Sequence, residues 1–108
     1  MNLSLNEWAK EIHEVAVIKG WWDYERDFGE LISLVHCELS EAYEEYRSSK
    51  PPYYEHEGKP EGIAVELVDA IIRLLDTLAT MDVDIDDVLE KKHVYNKTRT
   101  YRHGGKRA

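Results

Sequence analysis

Four carboxylates stand at matched spacing in two segments of the chain. Glu38 and Glu41 lie in "HCELSEAYEEYR" (36–47), and Glu66 and Asp69 lie in "VELVD" (65–69). Residues three apart on a helix are surface neighbours, so each pair aims two acids in one direction. Along the first segment Leu31, Leu34, Glu38, Glu41 and Glu45 fall on one helical line, which turns from apolar to acidic without leaving the side expected to be buried. Glu66 and Asp69 sit among Ile63, Val65, Ala70 and Ile72. Two such pairs facing each other repel: unit charges about 4 Å apart cost about 4 kcal/mol at an effective dielectric of 20, against the ~5–15 kcal/mol that holds a whole domain together. A cation relieves that repulsion. All-oxygen carboxylate ligands select hard ions, Mg²⁺ first and Mn²⁺ next, and leave positions for water and a substrate phosphate. The plainer alternative is solvated surface, since Glu is a strong helix former and most acidic helix positions face water. The Cys and His residues form no zinc pattern, and the single cysteine, Cys37, is expected to be a buried, inert thiol.

The elements that must position these acids are helices, and the fold class expected is all-α, a four-helix bundle. Leu5, Trp8, Ala9, Ile12, Val15 and Ala16 trace a helix face, opened by the Ser4/Glu7 capping box and closed near Gly20. A second helix begins after Asp27 and is expected to bury Phe28, Leu31, Ile32, Val35, Leu39, Ala42, Tyr43 and Tyr46 before "SSKPP" ends it. "PPYYEHEGK" (51–59) reads as a loop, and no convincing strand is predicted. Pro60 fits the first turn of a third helix, whose Ile63, Ala64, Leu67, Val68, Ile71, Leu74, Leu75 and Leu78 make it the most apolar and the central one. Asp84 caps a fourth helix through Ile85, Val88 and Leu89.

The 108 residues suit one domain, read as 1–108 with residues 100–108 a basic C-terminal tail. The net charge of −8 is unevenly spread: residues 91–108 carry seven of the fourteen Lys and Arg and no acid, leaving the first 90 at −15. An acidic body argues against general nucleic-acid binding. The apolar runs are too short for a membrane span, and the N-terminus lacks the pattern of a signal peptide, so a cytoplasmic protein is expected.

The residues resemble a known family. "ELSE" (38–41) followed by "ELVD" (66–69) is similar to the Glu-x-x-Glu plus Glu-x-x-Asp signature of the MazG-like, all-α nucleoside triphosphate pyrophosphohydrolases. The upstream "KGWWD" (19–23) and downstream "KKHVYNKTRTYRHGGK" (91–106) resemble the segments that flank it, so the likeness spans most of the chain in order. One departure is Cys37, where many members carry a further Glu. The resemblance implies hydrolysis of a (d)NTP between its α and β phosphates to a monophosphate and pyrophosphate. It implies Mg²⁺, or Mn²⁺, on Glu38, Glu41, Glu66 and Asp69, with Glu41, another of these acids, or Glu45 orienting the water. It places Lys92, Asn96 and Arg99, which share a helical line, on the substrate, with Lys97 less firmly placed, and leaves Arg102, His103, Lys106 and Arg107 unassigned. Trp22, beside Trp21, is a candidate for stacking on the base, as aromatic planes do. A homodimer or homotetramer is implied.

Two other readings compete. One is a non-catalytic helical interaction module whose acids keep it soluble; the other, within the enzyme class, is a phosphoribosyl-ATP pyrophosphohydrolase. A di-iron carboxylate bundle is disfavoured, because it wants Glu-x-x-His on two helices and only Glu90–His93 supplies one.

Overall fold

The structure is a computed structural model, and it describes residues 2–102. The expected reading of His103, Lys106 and Arg107 lies outside these residues. Among those described, four α-helices and one small hairpin follow in the order α1 (Leu5–Ile18), α2 (Phe28–Arg47), β1 (Tyr54–His56), β2 (Lys59–Glu61), α3 (Ile63–Leu78) and α4 (Ile85–Lys97). The fold is mostly helical, as expected. No helix among the described residues is long and apolar enough to cross a membrane.

Helix α1 starts where the capping box places it: the Glu7 amide donates to Ser4 Oγ at 3.1 Å, and the Ser4 amide donates to Glu7 Oε1 at 2.9 Å. Its start is also tied to that of α4. Asp86 accepts the Leu5 and Asn6 amides at 3.0 Å each, while Asn6 Oδ1 accepts the Ile85 amide at 2.7 Å. Each helix thereby satisfies orphan N–H groups of the other. Asp84 caps α4 through the Asp87 amide at 3.1 Å.

The segment read as a loop forms an antiparallel hairpin, with Tyr54 opposite Glu61 and His56 opposite Lys59. Its two-residue turn, Glu57–Gly58, has positive φ at both positions, the hand that matches strand twist. Pro60 therefore lies in β2 rather than in the first turn of α3, which begins after Gly62. At Gly62 the backbone has φ 113°, and a Cβ would run into the Pro52 carbonyl, which accepts the Ala64 amide at 3.0 Å. Only glycine fits this close approach.

Helix α3 is central, packing against α1 on one side and α2 on the other, and α4 rests on α1. The core gathers around Ala9, Leu75 and Ile85, with Leu5, Ile12 and Leu78 packed on it. Much of the expected burial is not supplied by this chain. Phe28, Leu39, Tyr43 and Tyr46 of α2, Leu67, Val68, Ile71 and Leu74 of α3, and Val88 and Leu89 of α4 are exposed. The periodicity identifies these positions as apolar faces, but four helices in a single layer of neighbours cannot cover every face. Cys37 is exposed too, contrary to the expectation of a buried thiol. It shares an outward helix line with Ser33, Ser40 and Glu44, opposite the Glu38 and Ala42 side that meets α3.

Candidate functional site

The most extensive helix–helix contact among the described residues, between α2 and α3, brings the two acidic pairs together. Carboxylate oxygens of Glu38, Glu66 and Asp69 all lie within 4.8 Å of one another. Glu38 is buried; Glu66 and Asp69 are partly buried. Glu41 is solvent-exposed, so it does not face inward as fully as its helical line suggests, but it stands close enough to hydrogen-bond Glu66. At 4.8 Å two carboxylate charges repel by about 3.5 kcal/mol at an effective dielectric of 20.

The proton affinities record that strain. Burial, followed by the hydrogen bond and charge of Glu41 and then the charge of Asp69, pushes the Glu66 carboxyl up to about 7. Burial and the charge of Glu38 raise Asp69 as well, opposed by Arg73 and, more weakly, by Lys59 of the hairpin. A carboxyl held near neutrality has two ways to lose its repulsion, a proton or a metal ion.

The donor set suits a hard divalent cation. Oxygens about 2.1 Å from an octahedral Mg²⁺ lie about 3.0 Å apart when adjacent and about 4.2 Å apart when opposite, so small side-chain adjustments within the observed spread reach a common ion. Three carboxylates and no sulfur or imidazole in the cluster match oxygen-preferring metals.

One cation is built into the site, and the sequence reading did not single it out. Arg73 follows Asp69 by one turn of α3, and its Nε–H donates to Glu38 Oε1 at 2.8 Å. Its guanidinium lies 5.1 Å from the centroid of the Trp21 ring. Arg73 offers one positive charge against four carboxylates, which leaves the cluster strongly acidic.

Beside the acids opens a cavity of about 550 Å³, large enough for a nucleoside-sized group, with Glu38, Asp69, Arg73 and Trp21 in its wall. Asp76 and Trp22 of the wall belong to a hydrogen-bonded trio completed by His13. Asp76 accepts Trp22 Nε1–H at 3.1 Å through either oxygen and sits 2.7 Å from His13 Nδ1. Trp22 meets the His13 ring edge-on, at 5.2 Å between centroids. Trp22 is thus half-buried and fixed in the cavity wall, where a ligand ring would meet it, while Trp21 is exposed and stacked by Arg26 as well as Arg73.

A smaller recess of about 280 Å³ lies on the other side of Glu66, lined also by Glu41, Glu45 and Lys50. Glu45 there accepts a long hydrogen bond, 3.5 Å, from the Tyr54 hydroxyl of the hairpin. Glu41 and Glu45 therefore flank the three converging acids.

The structure does not bring the α4 residues to this place. Lys92, Asn96 and Arg99 are exposed, α4 packs on α1, and no α4 side chain lines either recess. Lys92 and Arg99 instead lie over the Tyr95 ring, at 5.1 and 5.8 Å.

Comparison of the chain with protein-family models, with curated proteins and with solved structures gives no match.

Proposed function

We propose that the protein is a metal-dependent nucleoside triphosphate pyrophosphohydrolase of the MazG-like kind, hydrolysing a (d)NTP to a monophosphate and pyrophosphate. The observation that carries this reading is the convergence of Glu38, Glu66 and Asp69 oxygens beside a cavity walled by Trp22. Metal-binding acids and a nucleoside-sized cavity with an aromatic wall are the two halves such a substrate needs. Glu38, Glu66 and Asp69, joined by Glu41, would hold Mg²⁺ or Mn²⁺, which would neutralise phosphate oxygens and acidify water. Glu41 or Glu45 at the rim takes the proton of the attacking water. The water oxygen bonds to the α-phosphorus, the bond from that phosphorus to the α–β bridging oxygen breaks, and pyrophosphate leaves with the bonding electrons.

The uncovered faces belong to the same proposal. Leu39, Tyr43 and Tyr46 of α2, Leu67, Val68, Ile71 and Leu74 of α3, and Val88 and Leu89 of α4 are all exposed. Exposed apolar faces of this kind suit a homo-oligomer. A second copy on the Leu39, Tyr43, Leu67, Ile71 and Leu74 face would cover it, and the basic and amide groups of Lys92, Asn96 and Arg99 on α4 would then serve the acids of a neighbouring copy. The exposed face alone equally suits a non-catalytic interaction module.

A screen of all NTPs and dNTPs with Mg²⁺ and with EDTA, on the parent and on Asp69→Asn, separates the two. The enzyme reading expects metal-dependent pyrophosphate release by the parent and its loss in the variant. No turnover of any nucleotide leaves the interaction module.

A further inference from the structure

We infer that Arg73 binds the substrate phosphate nearest the nucleoside, a role that rests on the pyrophosphohydrolase reading above. Glu66, Asp69, Arg73 and Asp76 follow one another at spacings of three, four and three, a single line along α3. The acids occupy one end of this line and the Asp76–Trp22–His13 trio the other, with Arg73 between them, one helical turn from Asp69. A ligand with its polyphosphate on the acids and its nucleoside in the cavity crosses Arg73 where the phosphate chain meets the sugar.

The guanidinium is held ready for this contact. Its Nε–H is committed to Glu38 and its Cζ lies 5.1 Å from the centroid of the Trp21 ring. No hydrogen bond among the described residues uses Nη1 or Nη2. The Nη1/Nη2 edge left over is a planar fork that matches a phosphate's paired oxygens, which a lysine's point charge does not. Of the other cations in the cavity wall, Arg26 is already spent on the Trp21 carbonyl and Glu30, at 2.6 Å each, and Lys19 is exposed at the end of α1. Of these three, Arg73 alone is bonded to one of the converging acids, Glu38.

The opposing explanation is that Arg73 only holds Glu38 in place, and metal binding tells the two apart. The test compares the parent with Arg73→Lys and Arg73→Gln in three measurements: Mn²⁺ affinity, calorimetric affinity for inorganic tripolyphosphate in saturating Mg²⁺, and kcat/KM for the best nucleotide. The expected result is Mn²⁺ affinity within about threefold of the parent, tripolyphosphate affinity down at least about tenfold, and kcat/KM down about 100-fold in Arg73→Gln, as for loss of one preorganised charged donor. If Arg73→Gln fails to fold because Glu38 is left buried without a partner, Arg73→Lys decides alone: it keeps the charge but not the fork, and a tenfold loss of tripolyphosphate affinity is expected. Unchanged tripolyphosphate affinity in the variants, or a loss of Mn²⁺ affinity equal to the loss of tripolyphosphate affinity, overturns the inference while parental turnover leaves the function standing. A parent that neither turns over nucleotides nor binds Mn²⁺ removes both.

Discussion

Replacing Glu66 by Gln removes the charge that the site tolerates least, and its effect on stability has a sign fixed by the structure. The Glu66 carboxyl moves from the usual 4.5 in the unfolded chain to about 7 in the fold, because of burial and then Glu41. The folded protein therefore keeps a proton that the unfolded chain releases between those values, so without metal the stability falls as pH rises from about 4.5 to about 7 and then levels off. Full conversion of that difference gives about 3.4 kcal/mol; Glu66 still touches solvent, and screening reduces the expected loss to about 1–2 kcal/mol. Gln cannot ionise, keeps the shape and escapes the loss. In EDTA the variant should match the parent at pH 4.5 and melt roughly 4–10 °C higher at pH 8, taking the usual dependence for a domain of this size. Saturating Mg²⁺ should close the gap from the other side, since an ion at 100 times its dissociation constant adds about 2.7 kcal/mol to the parent alone. Thermal melts at pH 4.5, 6, 7 and 8, with EDTA and with Mg²⁺, read all of this. Parent and variant curves that stay parallel across this range, or a parent indifferent to Mg²⁺, would refute the reasoning.

Asp69→Asn should abolish turnover and leave the protein in EDTA as stable as the parent or stabler at pH 8, because burial and Glu38 already disfavour its charge; melts and product assays check both halves. Asp86→Ala, which strips two amide partners from the start of α1, should cost about 1–2 kcal/mol in urea unfolding and leave Mn²⁺ affinity unchanged, as the α1–α4 tie is remote from the acids. Gly62→Ala should destabilise more than Gly58→Ala by denaturant melts, since both have positive φ but only Gly62 meets a backbone carbonyl. Lys92→Ala and Arg99→Ala should melt within about 1 °C of the parent, both side chains being exposed, yet lower kcat/KM if a neighbouring copy's α4 serves the site.

What the sequence made legible was whatever is encoded locally. The Ser4–Glu7 box, the Asp84 cap and the three-residue spacing of the acids each act within one helix, so reading them needed no tertiary knowledge. The hairpin was hidden because Pro60 suits a helix start as well as an edge strand, and the choice depends on Gly62 approaching Pro52. Arg73 was hidden because its partners, Glu38 and Trp21, arrive from other parts of the chain. The same holds for Asp76, whose bonds to Trp22 and His13 span 54 and 63 residues. Apolar periodicity marked Leu67, Ile71 and Leu74 for burial, but periodicity cannot say whether the covering surface belongs to the same chain.

The central claim is cleavage between the α and β phosphates by a metal held on Glu38, Glu66 and Asp69, and it is tested most directly by turnover of the best nucleotide in ¹⁸O-labelled water with Mg²⁺. The account predicts ¹⁸O in the monophosphate and unlabelled pyrophosphate, with no turnover in EDTA. Label in pyrophosphate, diphosphate plus orthophosphate as products, or undiminished turnover in EDTA would contradict it.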